Sequence, residues 1–297
     1  MDARAIAMGL AFAFMWSSAF TSARIIVADA SPLFSLALRF LVSGLIGVAI
    51  ALAMGQTWRL NRIQWRATII FGVCQNALYL GLNFVAMQTV QASLAAIIAA
   101  TMPLLVALAS WLLFKERLKP LGIAGLMAGV LGVGLIMGTR ISAGVDLYGM
   151  ALCGLGVLAL TVATLALRGA TSGGNFMMVV GLQMLVGAVL LFVAALLFED
   201  IYINPTLSLA LAFAYTTLVP GLIATFIWVL LLNRIGPLRA ATFHFLNPVF
   251  GVAVASVLLG ERLGSMDMVG VLIVTAGILA VQLSRQPATP VNPTAAE

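Results

Sequence analysis

Long apolar stretches separated by short polar connections run along nearly the whole 297-residue chain. Each stretch has about 20 residues, enough for a helix to cross a hydrocarbon layer of about 30 Å. The apolar residues are continuous and do not alternate with period two, which favours helices over a transmembrane β-barrel. The pattern predicts an all-α integral membrane protein with ten spans, at residues 4–28, 32–54, 67–88, 91–114, 121–138, 147–167, 176–198, 207–232, 238–259 and 266–284.

Composition supports a membrane protein. The chain is 63% apolar and 8% charged, whereas soluble domains carry about a quarter charged residues. The first stretch lacks a strongly basic leader and a clear small-residue cleavage site, so we expect a span and not a signal peptide. Cys74 and Cys153 fall inside predicted spans and are expected to pack as small apolar groups. The polar, proline-containing tail 286–297 is predicted to be disordered.

Positive charge alternates between successive connections. With a cytoplasmic N-terminus, eleven basic residues lie inside and three outside, while Arg39 falls within span two. This asymmetry matches the positive-inside rule and requires an even number of spans. We therefore expect a multi-pass protein of the bacterial inner membrane with both termini in the cytoplasm. Because the basic residues are dispersed, the net charge of +6 does not indicate a nucleic-acid partner.

The chain repeats itself. Shifted by 145 residues, the segment 77–135 aligns with 222–280 without a gap, and it matches the Glu116-Arg117-Leu118 triplet to Glu261-Arg262-Leu263. Each unit holds five spans, so the second copy enters the membrane inverted, as in many secondary transporters. We predict two repeats, at residues 1–144 and 145–285.

Two matched prolines interrupt equivalent spans. Pro103 in span four and Pro248 in span nine each remove a helical hydrogen bond. Irregular backbone at membrane depth is tolerated where it faces protein or a wet cavity. Thr101 and Asn247 beside these prolines are therefore candidates to line a cavity, and helix kinks with packing roles alone are the alternative.

The segments Leu112–Leu118 and Leu258–Leu263, each followed by a glycine-spaced span, resemble the EamA repeat of the drug/metabolite transporter superfamily. Within that group the chain looks most like the bacterial aromatic amino-acid exporters of the YddG type. The resemblance implies a central cavity between the halves, with spans five and ten at the periphery. It also implies export of amino acids, other metabolites or drugs. Lys115 departs from the small residue Gly260 of the second copy.

Polar and aromatic residues within the spans are the candidate solute contacts. Gln75, Tyr79 and Asn83 follow one another at helical spacing in span three, and Thr225 and Trp228 continue a similar stripe in span eight. Such stripes suit an organic solute, although interhelical hydrogen bonds are the alternative role. The predicted substrate-binding residues are Trp16, Ser17, Arg39, Gln75, Asn76, Tyr79, Asn83, Thr101, Gln183, Thr225, Trp228, His244 and Asn247.

Two of these residues carry further chemistry. Arg39 could attract an anionic solute or snorkel toward headgroups. His244, the only histidine, could relay protons or form part of a hydrogen-bonded wall. All nine carboxylates fall at predicted span ends, loops or tails, which favours a facilitator or weakly coupled exporter over proton antiport.

Other functions find little support in the sequence. A phosphate-cradling G-x-x-x-x-G-K-[ST] sequence is absent, so we expect no ATP-driven pumping, no cofactor and no metal. An intramembrane hydrolase would need a serine beside His244, and a pore would need filter sequences that are not found. The glycines of span five are expected to serve close packing, with a homodimer as one possible contact and a monomer otherwise.

Overall fold

The computed structural model describes residues 2–116, 118–142, 144–166 and 174–285. This part of the chain is helical, apart from an isolated β-bridge between Ala30 and Ile203. Outside it lie Arg117 and Arg168, which are two of the eleven basic residues predicted to be cytoplasmic, and the tail 286–297. Within the described ranges ten helices are long and apolar enough to span a membrane, and we call them spans one to ten. Their bounds are Ala3–Asp29, Pro32–Ala53, Arg62–Ala86, Ala92–Phe114, Pro120–Ser142, Leu147–Ala166, Phe176–Phe198, Leu207–Ile235, Arg239–Leu259 and Ser265–Ser284.

Large apolar side chains cover the outside of the bundle. Phe198 and Val257 are 80% and 82% exposed, and they are two of many such residues. Water does not favour an apolar surface of this extent, whereas lipid does. The ten predicted helices and the membrane-spanning architecture are therefore confirmed.

Glu261 shows how the two halves are oriented. Its carboxylate accepts hydrogen bonds from the backbone nitrogens of Ala92 (2.8 Å) and Ser93 (2.9 Å), at the start of span four. Its repeat equivalent, Glu116, follows the end of that same span. The two copies of the motif therefore lie at opposite faces of the bundle, as inverted repeats require.

Spans two and seven cap each other. Glu199, after the end of span seven, accepts from the backbone nitrogens of Leu33 (2.7 Å) and Phe34 (3.0 Å) in the first turn of span two. Gln56, after the end of span two, accepts from the backbone nitrogen of Met178 in span seven at 3.0 Å. The two helices are thus antiparallel, and each provides an acceptor for the free N–H groups of the other.

Spans five and ten meet with their backbones in close contact. A Cβ added to Gly125 would lie 2.7 Å from the Gly277 carbonyl oxygen, and one added to Gly132 would lie 2.9 Å from that of Gly270. Because no side chain separates them, the two helices form a glycine seam within the chain. Gly134 and Gly138, by contrast, have nothing within 4 Å.

Four of the spans contain irregular segments at equivalent places. Span three holds the π-helix Gly72–Leu80, and span eight holds the π-helix Thr217–Ile223 around Pro220. Span four breaks at Thr101 before Pro103, and span nine passes through the 3₁₀ turn Phe243–Leu246 before Pro248. The predicted interruptions at the prolines are confirmed, whereas the π-helices were not predicted.

Span three begins earlier than predicted, at Arg62 and not at residue 67. Asn61 and Gln64 form a capping box, in which each side chain accepts from the backbone nitrogen of the other, at 2.9 and 3.0 Å. This cap satisfies two of the otherwise free N–H groups and extends the helix over its polar first turn.

Candidate functional site

A cavity of about 560 Å³ lies between the two halves. This is the volume range of small-molecule sites. Spans one, two, three, four, six, seven, eight and nine contribute to its lining, whereas spans five and ten do not. The peripheral position expected for these two helices agrees with this arrangement.

Ten of the thirteen predicted site residues line this cavity. They are Trp16, Arg39, Gln75, Asn76, Tyr79, Gln183, Thr225, Trp228, His244 and Asn247. They come from six spans, so the fold collects polar groups that are far apart in the sequence.

An aromatic cluster forms one wall. Phe12 stacks on Trp228 with 4.5 Å between the ring centroids, and it contacts the edge of the His244 ring at 5.4 Å. Trp16 lies 5.6 Å from Phe12, and Trp228 lies 5.2 Å from His244. Spans one, eight and nine thus join in a wall of tilted and edge-to-face rings, which suits an aromatic or aliphatic solute group.

Sequence reasoning missed Phe12 and Phe20, which also line the cavity. With Trp16 they recur every four residues on one face of span one, and this aromatic spacing could have identified them. Phenylalanine is common in apolar helices, so neither residue was conspicuous alone.

Span three supplies amides and a phenol. The Asn76 amide donates to the backbone carbonyl of Gln183 in span seven at 2.8 Å. This hydrogen bond joins the two halves. The Tyr79 side chain is only 2% exposed and lines the cavity beside Asn76. Within a π-helix carbonyl groups are displaced from α-helical pairing, a feature frequent at functional sites.

Three predicted residues do not line the main cavity. Asn83 lies beyond the π-helix, where its amide donates to the Tyr79 carbonyl at 2.8 Å, and it lines a separate pocket of about 40 Å³. The Thr101 hydroxyl donates to the Ile98 carbonyl at 2.6 Å and closes the last turn before the break. Ser17 faces span nine, where a Cβ on Gly251 would lie 4.0 Å from the Ser17 Cβ. Helix rotation explains the position of Ser17, because it is turned about 100° from Trp16.

Arg39 lies two turns inside span two and lines both pockets. It is 6% exposed, its guanidinium carbon lies 5.1 Å from the Phe40 ring centroid, and its Nε has no hydrogen-bond partner. Within the described ranges no carboxylate pairs with it. Arg39 is therefore a buried cation at the cavity wall whose observed contact is the Phe40 ring and not a counter-ion, and a charge within a membrane is costly unless it is paired.

His244 bonds to Asn247, one turn further along span nine. The Asn247 amide nitrogen is 3.0 Å from His244 Nδ1. An amide nitrogen only donates, so Nδ1 accepts and the ring carries its proton on Nε2. Across the described part of the chain no serine hydroxyl bonds to His244, so the geometry gives no support to a Ser/His hydrolase. Asn247 Oδ1 is buried without a partner.

The cavity extends to the face of the bundle at which span one begins, here called the N-terminal face. Gln64 in the first turn of span three and Phe176 at the start of span seven line it. In the other direction the main cavity ends near Arg39 and Tyr79. Beyond them Phe84 and Met87 are 2% and 1% exposed.

An arginine contact reinforces the closed end. Arg24 of span one donates to the Met87 carbonyl at the end of span three. The cavity is therefore accessible toward the N-terminal face and closed toward the opposite face.

The N-terminal face has its own ion pair. Arg234, at the end of span eight, bonds to both carboxylate oxygens of Asp2, which also caps span one through Ala5. The Arg234 hydrogen bond lowers the pKa of Asp2 to about 2. Asp2 therefore carries its negative charge at neutral pH.

Known proteins are similar to this chain in sequence, and a solved structure is similar to it in fold. The chain is 27% identical to the uncharacterized inner membrane transporter YedA of Escherichia coli K12, over 93% of this chain and 90% of that protein. It is 25% identical to the uncharacterized transporter sll0355 of Synechocystis, over 92% and 88%. A crystal structure with 23% identity superposes with a TM-score of 0.68 over 95% of this chain and 98% of the other, which shows a shared fold.

Both halves match one family model, the EamA-like transporter family, at residues 3–138 and 147–283. These two matches cover nearly the whole described helical bundle. The chain is therefore a multi-pass membrane protein that belongs to the EamA-like transporter family.

Proposed function

We propose that this protein exports small metabolites, most notably amino acids including aromatic ones, from the bacterial cytoplasm by alternating access without ATP. The cavity between the inverted halves carries the proposal, because it joins an aromatic wall, amides and an arginine in one space of about 560 Å³. This combination offers partners for the ring and the carboxylate of an aromatic amino acid. The likeness to the YddG-type exporters points to the same solutes.

The sidedness of the cavity fits export. Under the positive-inside rule we assign the N-terminal face to the cytoplasm, and the likeness to the inner membrane transporter YedA supports a location in the bacterial inner membrane. The cavity then faces the cytoplasm, ready to receive a solute, and rocking of the halves would expose it to the outside. The lining contains no aspartate or glutamate in the described ranges, which favours a facilitator over proton antiport.

The test is flux through the purified full chain in liposomes. We expect efflux of labelled Phe, Trp and Tyr that saturates with concentration, needs no ATP, and accelerates when unlabelled solute is supplied on the opposite side. Acceleration of this kind requires a carrier that alternates between faces, and a pore would not show it. Empty liposomes are the control, and absence of protein-dependent flux for every amino acid would overturn the substrate assignment.

Export of other metabolites or drugs is the second candidate. The aromatic wall around Phe12 and Trp228 would accept many apolar rings. A panel of uncharged drugs tested in the same liposomes separates the two, since a drug exporter would move these compounds while leaving amino acids in place. A homodimer stays a prediction, and cross-linking in native membranes tests it.

A further inference from the structure

The charge balance of the cavity is one-sided. Among its described lining residues Arg39 is the one carrying a formal charge, because no aspartate, glutamate or lysine contributes. His244 accepts a hydrogen bond at Nδ1 and is neutral in this arrangement. A solute that enters this space therefore meets a net positive charge.

Arg39 has the features of an anion-binding residue. It is nine-tenths buried, lacks a carboxylate partner among the described residues, and lines the cavity with its Nε unpaired. A buried charge needs a partner of opposite sign, and a guanidinium presents paired N–H groups that match a carboxylate. One arginine balances one negative charge, so a singly charged carboxylate fits better than a doubly charged phosphate.

An α-ammonium group would have no matching anion here. In an amino acid the ammonium is bonded to the carbon that carries the carboxylate, so it would lie beside Arg39. Neutral acceptors such as the Tyr79 hydroxyl and the Gln75 amide line the same space, but they do not balance the charge of an ammonium group next to Arg39. The buried, unpaired Asn247 Oδ1 is also an acceptor, and it lies nearer the open end of the cavity. Span two begins and span nine ends at the same face of the bundle. Arg39 lies seven residues after that start, and Asn247 lies twelve residues before that end. At 1.5 Å per residue their Cα atoms differ in depth by about 8 Å.

The rest of the cavity suits a ring. Trp16 and Phe20 line both pockets together with Arg39, and the cluster of Phe12, Trp228 and His244 follows at greater distance from the closed end. A solute with its carboxylate at Arg39 would place an aromatic body on these faces. Asn247 Oδ1 would then meet the far edge of the ring, where a phenol or indole N–H can donate.

The geometry points to a monovalent aromatic carboxylate without an ammonium group, such as an aromatic 2-oxo acid, as the preferred solute, carried with its net negative charge. This rests on the proposed export function and its aromatic solute class, but it places the anionic analogue ahead of the amino acid itself as the preferred solute, and it specifies the driving force. Movement of one net charge makes transport electrogenic. A cytoplasm that is negative by about 100 mV would drive outward accumulation of a monovalent anion by about 50-fold. The membrane potential would thus supply the driving force that proton coupling through a carboxylate supplies in proton antiporters.

The test compares three solutes of one shape in liposomes that contain the purified full chain. Phenylpyruvate is the anion, phenylalanine the zwitterion and phenylalanine amide the cation. Potassium gradients with valinomycin set the lumen negative or positive by about 100 mV. We expect phenylpyruvate efflux at least tenfold faster from a negative than from a positive lumen, with phenylalanine slower and indifferent to the potential.

Variants connect the effect to Arg39. Arg39→Gln is expected to reduce phenylpyruvate flux at least tenfold, whereas Arg39→Lys should keep its dependence on potential. Arg59→Gln, at an exposed residue of the connection before span three, is the matched control and should leave flux unchanged. The dependence on potential in the unaltered protein needs no variant, so it decides the question even if Arg39→Gln fails to fold.

The outcomes separate this inference from the proposed function. Saturable phenylalanine flux that matches or exceeds that of phenylpyruvate and ignores the potential would overturn the inference and leave amino-acid export standing. Faster movement of the cation would also overturn it. Absence of saturable flux for all three solutes would count against the proposed function itself.

Discussion

The carboxylate of Glu261 accepts a hydrogen bond from the backbone nitrogen of Ala92 at 2.8 Å, and so joins the end of span nine to the start of span four. The same carboxylate also accepts from Ser93 and is 9% exposed. The motif that relates the two repeats in sequence therefore has a structural role, because it satisfies free N–H groups of a helix in the other half.

Replacing Glu261 with Gln should destabilise the protein. The substitution removes the charge and leaves one of the two accepting oxygens, and a hydrogen bond to a charged group contributes about 1.5–3 kcal/mol. We expect a loss of about 1–2 kcal/mol, measured as a lower midpoint of thermal unfolding in detergent. Asp200→Asn, at an exposed carboxylate, is the control. An unchanged midpoint for Glu261→Gln would contradict the capping role.

Lys115→Gly should stabilise the protein. Lys115 ends span four with φ of 54°, in the left-handed region, as Gly260 ends span nine with φ of 67°. A residue with a Cβ pays about 1–2 kcal/mol there, partly offset by the greater unfolded-state entropy of glycine. We expect a gain of up to about 1 kcal/mol in thermal unfolding. Gly260→Lys should have the opposite effect, and equal midpoints for both variants would refute the explanation.

Gly125→Ala should loosen the glycine seam. The added methyl group would lie 2.7 Å from the Gly277 carbonyl oxygen, closer than real contacts allow, so spans five and ten must separate. Overpacking of this kind costs about 1–3 kcal/mol. Gly134→Ala in the same helix is the control, because nothing lies within 4 Å of that position. Thermal unfolding of the two variants should differ clearly, and similar stabilities would argue against the seam.

Trp228→Ala should weaken the handling of aromatic solutes. The substitution removes a ring of the cavity lining, and stacking of a solute ring on an aromatic side chain contributes about 0.5–1.5 kcal/mol beyond its buried area. We expect the KM for aromatic solutes in liposomes to rise by about three- to tenfold. Trp111→Ala, at a half-exposed tryptophan outside the cavity lining, should behave like the unaltered protein. Equal effects of the two substitutions would show that the aromatic wall does not contribute to solute binding.

Cysteine labelling tests the sidedness. Lys115→Cys and Arg262→Cys place exposed thiols after the ends of spans four and nine, in a background where Cys74 and Cys153 are replaced by Ser. An impermeant maleimide applied to spheroplasts should label the variant at 262 and spare the variant at 115. Labelling of both, or of neither before lysis, would contradict inverted repeats, and the reverse pattern would place the N-terminus outside.

Hydropathy was sufficient to predict the spans, because only helices whose backbone hydrogen bonds are satisfied internally can cross lipid. The 145-residue offset was sufficient to predict the repeat. The offset also paired Pro103 with Pro248, and the structure interrupts both helices there. The capping partners of Glu199 and Glu261 were beyond sequence reasoning, since they depend on which span ends meet in space.

The candidate site was predictable where a polar group stands out in an apolar helix, as Arg39, Gln183 and Asn247 do. Asn83 shows the limit. The π-helix Gly72–Leu80 ends just before it and alters the rotation per residue between Gln75 and Tyr79, so the three residues do not share one α-helical face. The Asn83 side chain turns back to the Tyr79 carbonyl. Nothing in the spacing alone distinguishes an α-helix from a π-helix at this point.

The glycine seam between spans five and ten limits how the molecule can move. Two helices in backbone contact, with the Gly125 and Gly277 carbonyls each facing the other helix, cannot slide by a fraction of a turn without collision. A movement that closes the open end of the cavity and opens the closed end must therefore rotate about the seam between spans five and ten. The helices across the cavity from the seam then make the larger displacements.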